Sequence, residues 1–269
     1  MAPGTGARNT MAITNIEYAL LRQLKDSGFV KDNSALLELG QSNWYGDVPL
    51  STLVDDIRKN VASESEANEM IGQIERLSND QPRNWLFRIA DVFWETFLGP
   101  HSYAAIDLHG IDDRAHKLDL NEPINLDQQF DIVCNFGTAE HVFNVYQVFK
   151  TVHDLTKENG WMLHGLPFQG WIDHGFYNFQ PTFFFDLCEA NGYAPGIFLY
   201  AETIPPKIVS IDSRATILNM AERGAIGHNA MLYVGLHKRS RGKPFKPPVQ
   251  GYYSARLDKD AADKWKTLR

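Results

Sequence analysis

The stretch Ala35-Leu36-Leu37-Glu38-Leu39-Gly40-Gln41-Ser42-Asn43-Trp44-Tyr45-Gly46 decides the reading of this chain. An apolar run ends in an acid and a glycine, and small polar residues then carry the chain through a sharp turn. That order suits a buried strand opening into a binding loop. Glycine lets backbone come close to a ligand, and a neighbouring acid reaches its sugar or ammonium groups. Many buried strands end in a glycine turn, so this one gains weight from its successors. Three further apolar runs end in order at Asp107, Asp119 and Asn135.

Around that stretch the chain alternates. Residues 1–12 are small and polar and predict a disordered N-terminus. Residues 13–27 predict an amphipathic helix with Ile16, Ala19, Leu20 and Leu24 on one face. A helical insert is predicted over about 47–99, where Leu86, Ile89, Phe93 and Phe97 recur at helical spacing. Strands are predicted at 36–39, 103–108, 116–120, 130–136, 160–166, 197–200 and 230–237. Helices follow at 139–150 and 181–190, the second closed by Asn191-Gly192. This pattern predicts an α/β fold, a doubly wound, mostly parallel seven-stranded sheet with an N-terminal helix and the insert after the first strand. Such a sheet binds ligands outside the carboxyl ends of its strands, so the scattered polar ends are expected to converge. The domain is expected to span 13–238, with 239–269 as a tail that adds a short helix after residue 255.

Composition narrows the partners. A hydrophobic fraction of 43% and a charged fraction of 22% are ordinary for a soluble globular protein. The formal charge of -7 disfavours nucleic acid as a partner. The one cationic run, Lys238-Arg239-Ser240-Arg241-Gly242-Lys243, reads as a solvated tail segment. Cys134 and Cys188 sit among apolar residues and read as buried thiols of a reducing compartment. No apolar run approaches the roughly 20 residues that span a bilayer, and the N-terminus lacks a signal-peptide core. A cytoplasmic protein with no membrane partner is expected.

The turn at Gly40 also selects among cofactors. Pyrophosphate of a dinucleotide needs Gly-x-Gly-x-x-Gly, whereas Gly40 is followed here by bulky residues. No Gly-Lys-Ser or Gly-Lys-Thr phosphate loop occurs. A nucleoside carrying an amino acid asks instead for backbone at the first turn, an acid for the ribose, and polar groups for the adenine and ammonium. Gly40, Asp107, Asp119 and the turn Asn135-Phe136-Gly137 supply these in chain order.

On these residues the chain resembles the S-adenosylmethionine-dependent methyltransferases of the Rossmann-like class, over roughly residues 36–237. Glu38-Leu39-Gly40 is similar to the family's first motif, and Ala104-Ala105-Ile106-Asp107 to its second-strand acid. Phe130-Asp131-Ile132-Val133 with Glu140-His141-Val142 resembles the fourth-strand motif. Gly160-Trp161-Met162-Leu163-His164 resembles the segment before the fifth strand. Residues 229–237 resemble the family's last strand, which runs antiparallel. The resemblance implies S-adenosylmethionine as cofactor, a small-molecule acceptor, and a cofactor set of Glu38, Gly40, Gln41, Ser42, Asp107, Leu108, Asp119, Asn135, Phe136 and Gly137. The chain departs from the family twice. Ser42 stands in place of the second glycine, and Asp107 follows Glu38 at far more than the usual ~20 residues.

Methyl transfer from a sulfonium is an in-line displacement, so positioning carries most of the catalysis. A base is needed only when the acceptor must lose a proton. His141 and His174 are the candidate catalytic residues, with Trp171, Phe176 and Tyr177 as pocket walls. Each imidazole also has a structural reading, as a helix-start or turn hydrogen bonder. His164 on a buried strand reads as a core histidine, and Arg214 and Arg223 as surface arginines rather than anion grips. No metal is expected, but two alternatives stay open. One is a metal-dependent enzyme using His141, His164 and His174 with Asp173. The other is a non-catalytic binding scaffold on the same fold.

Overall fold

The computed structural model describes residues 12–203, 205–239, 242–254, 257 and 259–267. Of residues 1–12, expected to be disordered, residue 12 is in a strand and residues 1–11 lie outside the described residues, as do residues 240 and 241 of the cationic run. The chain divides into two compact units, Met1–Asp119 and Leu120–Arg269.

The first unit runs β1 (Ala12–Ile13), α1 (Asn15–Asp26), β2 (Leu36–Leu39), β3 (Asn43–Trp44), α2 (Leu50–Asn60), α3 (Glu64–Asp80), α4 (Trp85–Leu98), β4 (Tyr103–Ile106) and β5 (Ala115–His116). Thr14 starts α1 through a capping box with Glu17, which satisfies backbone donors that the first turn leaves over. The helical insert is present as α2, α3 and α4. On α4, Ile89, Phe93 and Phe97 of the apolar stripe are fully buried, while Leu86 is half-buried. Rings of Tyr18, Trp44, Trp94 and Phe97 stand 5.0–6.1 Å from the Phe93 ring. Strands β2, β4 and β5 pair in parallel, in the order β5-β4-β2. The short pair β1–β3 was not expected.

The second unit runs β6 (Phe130–Phe136), a 3-10 turn at Ala139–His141, α5 (Val145–Leu155), β7 (Thr156–Gln169), α6 (Pro181–Asn191), β8 (Ala194–Thr203), β9 (Pro206–Ser210), α7 (Arg214–Glu222), β10 (Ala230–His237) and α8 (Lys259–Thr267). β6 and β7 are parallel, and β10 inserts between β7 and β8, antiparallel to both. The last strand therefore runs antiparallel, as the resemblance implies. Gly192 closes α6 in a left-handed cap at φ 69°.

The structure corrects several expectations. β9 is a strand beyond the seven expected, paired antiparallel with β8. The turn signal at Lys157-Glu158-Asn159-Gly160 lies within β7, where the β6 pairing jumps from Thr156 to Trp161. Lys238 is not solvated. It is buried, and its Nζ donates to the carbonyls of His153 at 2.6 Å and Thr156 at 2.8 Å. Arg214, read as a surface arginine, is instead part-buried, paired with Asp186 at 2.5 Å and lying over the Phe185 ring. No helix among the described residues is long and apolar enough to cross a membrane.

Candidate functional site

In the first unit the strand ends build a braced turn. Leu39 pairs with Ile106, so Gly40 and Asp107 leave adjacent parallel strands together. Gly40 has φ 79°, a left-handed conformation that favours glycine, and its N–H donates to Ile106 at 2.7 Å. The Asp107 carboxylate accepts from the Gln41 N–H at 3.0 Å and the His109 N–H at 2.7 Å. Gln41 is buried, and its amide spans Asp112 at 3.2 Å and the Ile111 N–H at 2.9 Å. Arg114 then fixes Asp112 at 2.6 Å and Asp91 at 3.0 Å.

Glu38 is 1% exposed. Its carboxylate accepts from the Ser42 hydroxyl, the Ser42 N–H at 3.3 Å and the Tyr103 hydroxyl at 2.5 Å. Burial pushes its pKa up to about 7, and the Ser42 and Tyr103 donors oppose that rise. Glu38 and Ser42 thus fasten the turn from below. Leu108 is exposed. Asp119 is exposed as well and lies beyond β5, which ends at His116 rather than running to residue 120.

In the second unit, Asn135 at the end of β6 is fully buried, with Oδ1 accepting from the Ala139 N–H at 3.1 Å. Its Nδ2 is 3.1 Å from Nδ1 of His164. His164 packs against Phe149 and Phe184. Desolvation alone drives its pKa down to about 3, so it is a neutral core histidine. Phe136 is buried, and Gly137 turns at φ 79° with its N–H donating to Gly165 at 2.8 Å.

Sequence reasoning missed the acidic centre of the second unit. The helix expected from residue 139 is only one 3-10 turn there, because Asn144 is the true helix cap. Asn144 and Gln147 carry the spacing of an N-cap and its third helical residue, a signal that was present but unread. Residues 140–143 therefore stay outside α5. Glu140, 1% exposed, places Oε1 3.8 Å from Nε2 of both His141 and His174. The two imidazoles are 4.9 Å apart and about one-third exposed. Proximity to Glu140 raises the His174 pKa, more than partial burial lowers it. Asp173, named with these histidines from the sequence, is exposed, and the grouped side chains are Glu140, His141 and His174.

The loop after β7 is tightly seated around this group. Trp171 and Asp173 hold positive φ of 52° and 59°. The Trp171 N–H donates to Asn229 at 3.0 Å and its indole N–H to the Ala230 carbonyl at 3.1 Å. Backbone N–H groups of Phe176 and Tyr177 donate to the Glu140 carbonyl at 2.7 and 3.3 Å. Phe143 and Phe176 stand edge-to-face at 6.4 Å and are largely exposed. A pair of exposed aromatic rings beside polar side chains suits an organic ligand.

No protein-family model and no curated protein matches the chain. Among solved structures, it is similar to a Burkholderia thailandensis 1,6-didemethyltoxoflavin-N1-methyltransferase with bound 1,6-didemethyltoxoflavin and S-adenosylhomocysteine. That match has 12% identity and a TM-score of 0.46, covering 84% of this chain and 78% of the other. The MccD protein matches at 11% identity and TM-score 0.33, over 81% and 96% of the two chains. The glycopeptide N-methyltransferase MtfA matches at 12% identity and TM-score 0.31, over 84% and 93%.

Proposed function

We propose that this chain transfers a methyl group from S-adenosylmethionine to a small or medium-sized acceptor. The observation that carries the reading is the pair of adjacent parallel strand ends, where the left-handed Gly40 turn is tied to the Asp107 carboxylate. A nucleoside sits against such a turn with backbone close by and an acid at its ribose. Gln41 and Ser42 hold the turn, Leu108 offers exposed apolar surface for the adenine, and Asp119 adds a second acid. Asn135, Phe136 and Gly137 shape the β6 end, and Glu38 acts through Ser42.

On the acceptor side, Phe143, Phe176 and Trp171 would flank the substrate. His174 and His141 would take its proton, with Glu140 stabilising the imidazolium. The enzyme itself adds orientation and exclusion of water. Asp107→Ala is expected to weaken S-adenosylhomocysteine binding tenfold or more, about 1.4 kcal/mol. Calorimetry checks this, and an unchanged affinity contradicts the assigned role. One observation favours a second reading, a non-catalytic binding module. Ser42, in place of the family's second glycine, is 3% exposed and Gln41 beside it 2%, so side chains fill the turn.

A further inference from the structure

We infer that Glu140, His141 and His174 form a binding site for one divalent transition-metal ion, of the zinc or ferrous class. The site stands independently of the methyl-transfer reading. Two imidazoles and one carboxylate are a donor set that such ions prefer, and they leave further coordination positions open. One ligand atom from each residue lies within 4.8 Å of the others. Donors ~2.0–2.2 Å from a tetrahedral ion stand roughly 3.3–3.6 Å apart, so the two Glu140–histidine separations of 3.8 Å exceed that spacing by a few tenths of an ångström.

The second, independent observation is Glu140 Oε2. It is buried and has no hydrogen-bond partner among the described residues, although a buried acceptor ordinarily has one. Leaving a buried carboxylate oxygen without a donor is costly, and a divalent ion on that carboxylate offsets the cost. The open side of the group is formed by the two part-exposed imidazoles, which gives the ion an entry path.

The surrounding chain is shaped for this approach. A Cβ on Gly175 would lie 2.9 Å from the Glu140 carbonyl oxygen, so only glycine lets the His174 loop come so near. The N–H groups of Phe176 and Tyr177 then clamp that same carbonyl. The His174 N–H donates to Trp171 at 3.1 Å, and the His141 N–H to Thr138 at 3.0 Å. Both imidazoles are thereby carried on backbone that is fixed locally. Metal and proton compete for the same nitrogen atoms, so the base role proposed above belongs to the metal-free protein.

The test uses the full chain, stripped with chelator and titrated with Zn2+ and with Co2+, without any nucleoside present. One equivalent is expected to bind in the micromolar range or tighter, with the visible d–d absorption of a low-coordinate cobalt site. His141→Asn/His174→Asn is expected to lower affinity more than about hundredfold, beyond the usual effect of outer-shell changes. These imidazoles are part-exposed, so that variant tests the site even where Glu140→Gln fails to fold. Asp173→Asn, adjacent but outside the group, is expected to leave affinity unchanged. Binding weaker than millimolar, or binding that survives the double histidine variant, overturns the inference.

Discussion

Gly170→Ala is expected to destabilise the protein by about 3–4 kcal/mol and to displace the loop that carries His174. Gly170 has φ 75°, and an added Cβ would stand 1.7 Å from the His228 carbonyl oxygen and 2.5 Å from the Asn229 side chain. The obstacle is backbone, so rotamer changes cannot relieve it. Asn229 is also the acceptor for the Trp171 N–H, and the Gly170 carbonyl accepts from Asn178 at 2.9 Å. Forcing Gly170 away therefore releases both ends of the loop. Urea unfolding reads the loss of stability, and the His174 imidazole resonances read the displacement. Wild-type stability with unmoved His174 signals would contradict the seating of this loop.

Glu38→Gln is expected to remove a pH dependence of stability worth about 3 kcal/mol. The carboxyl is fully buried, and desolvation raises its pKa in the fold from 4.5 to about 7. Between those values the folded protein keeps a proton that the unfolded chain has released. Stability from this group is therefore complete below pH ~4.5 and is lost as pH rises through about 7. Glutamine cannot titrate, so the variant should lack that slope. Its amide also meets donors from Ser42 and Tyr103, a fixed cost that shifts the curve without tilting it. Urea titrations at about pH 5 and pH 7.5 decide the matter. Parallel curves for the two proteins would mean that Glu38 is ionised throughout.

The strands around the first motif were legible because burial and chain order agree there. β2, β6 and β10 run over the predicted residues, since each is a nearly unbroken apolar run buried on both faces. β9 was not legible, because Pro205-Pro206 reads as a breaker and pairing with β8 comes only from the assembled edge. The candidate site was read in halves. Gly40 and Asp107 announce themselves as strand ends. Glu140 did not, because an acid at a supposed helix start is explained by the helix dipole and asks for nothing more. Only the Asn144 cap, by starting that helix later in the chain, leaves Glu140 facing His141 and His174. His164 was read in its structural sense as a core histidine, and its surroundings of Phe149 and Phe184 agree.

The central claim is that the Gly40 turn holds a sulfur nucleoside. Calorimetric titration of the purified chain with S-adenosylmethionine and S-adenosylhomocysteine, beside NAD and ATP, tests it most directly. Micromolar binding of the two sulfur nucleosides, with none of NAD or ATP, is the predicted result. Absence of binding to either sulfur nucleoside would contradict the claim and leave a turn closed by Gln41 and Ser42, as the scaffold reading requires.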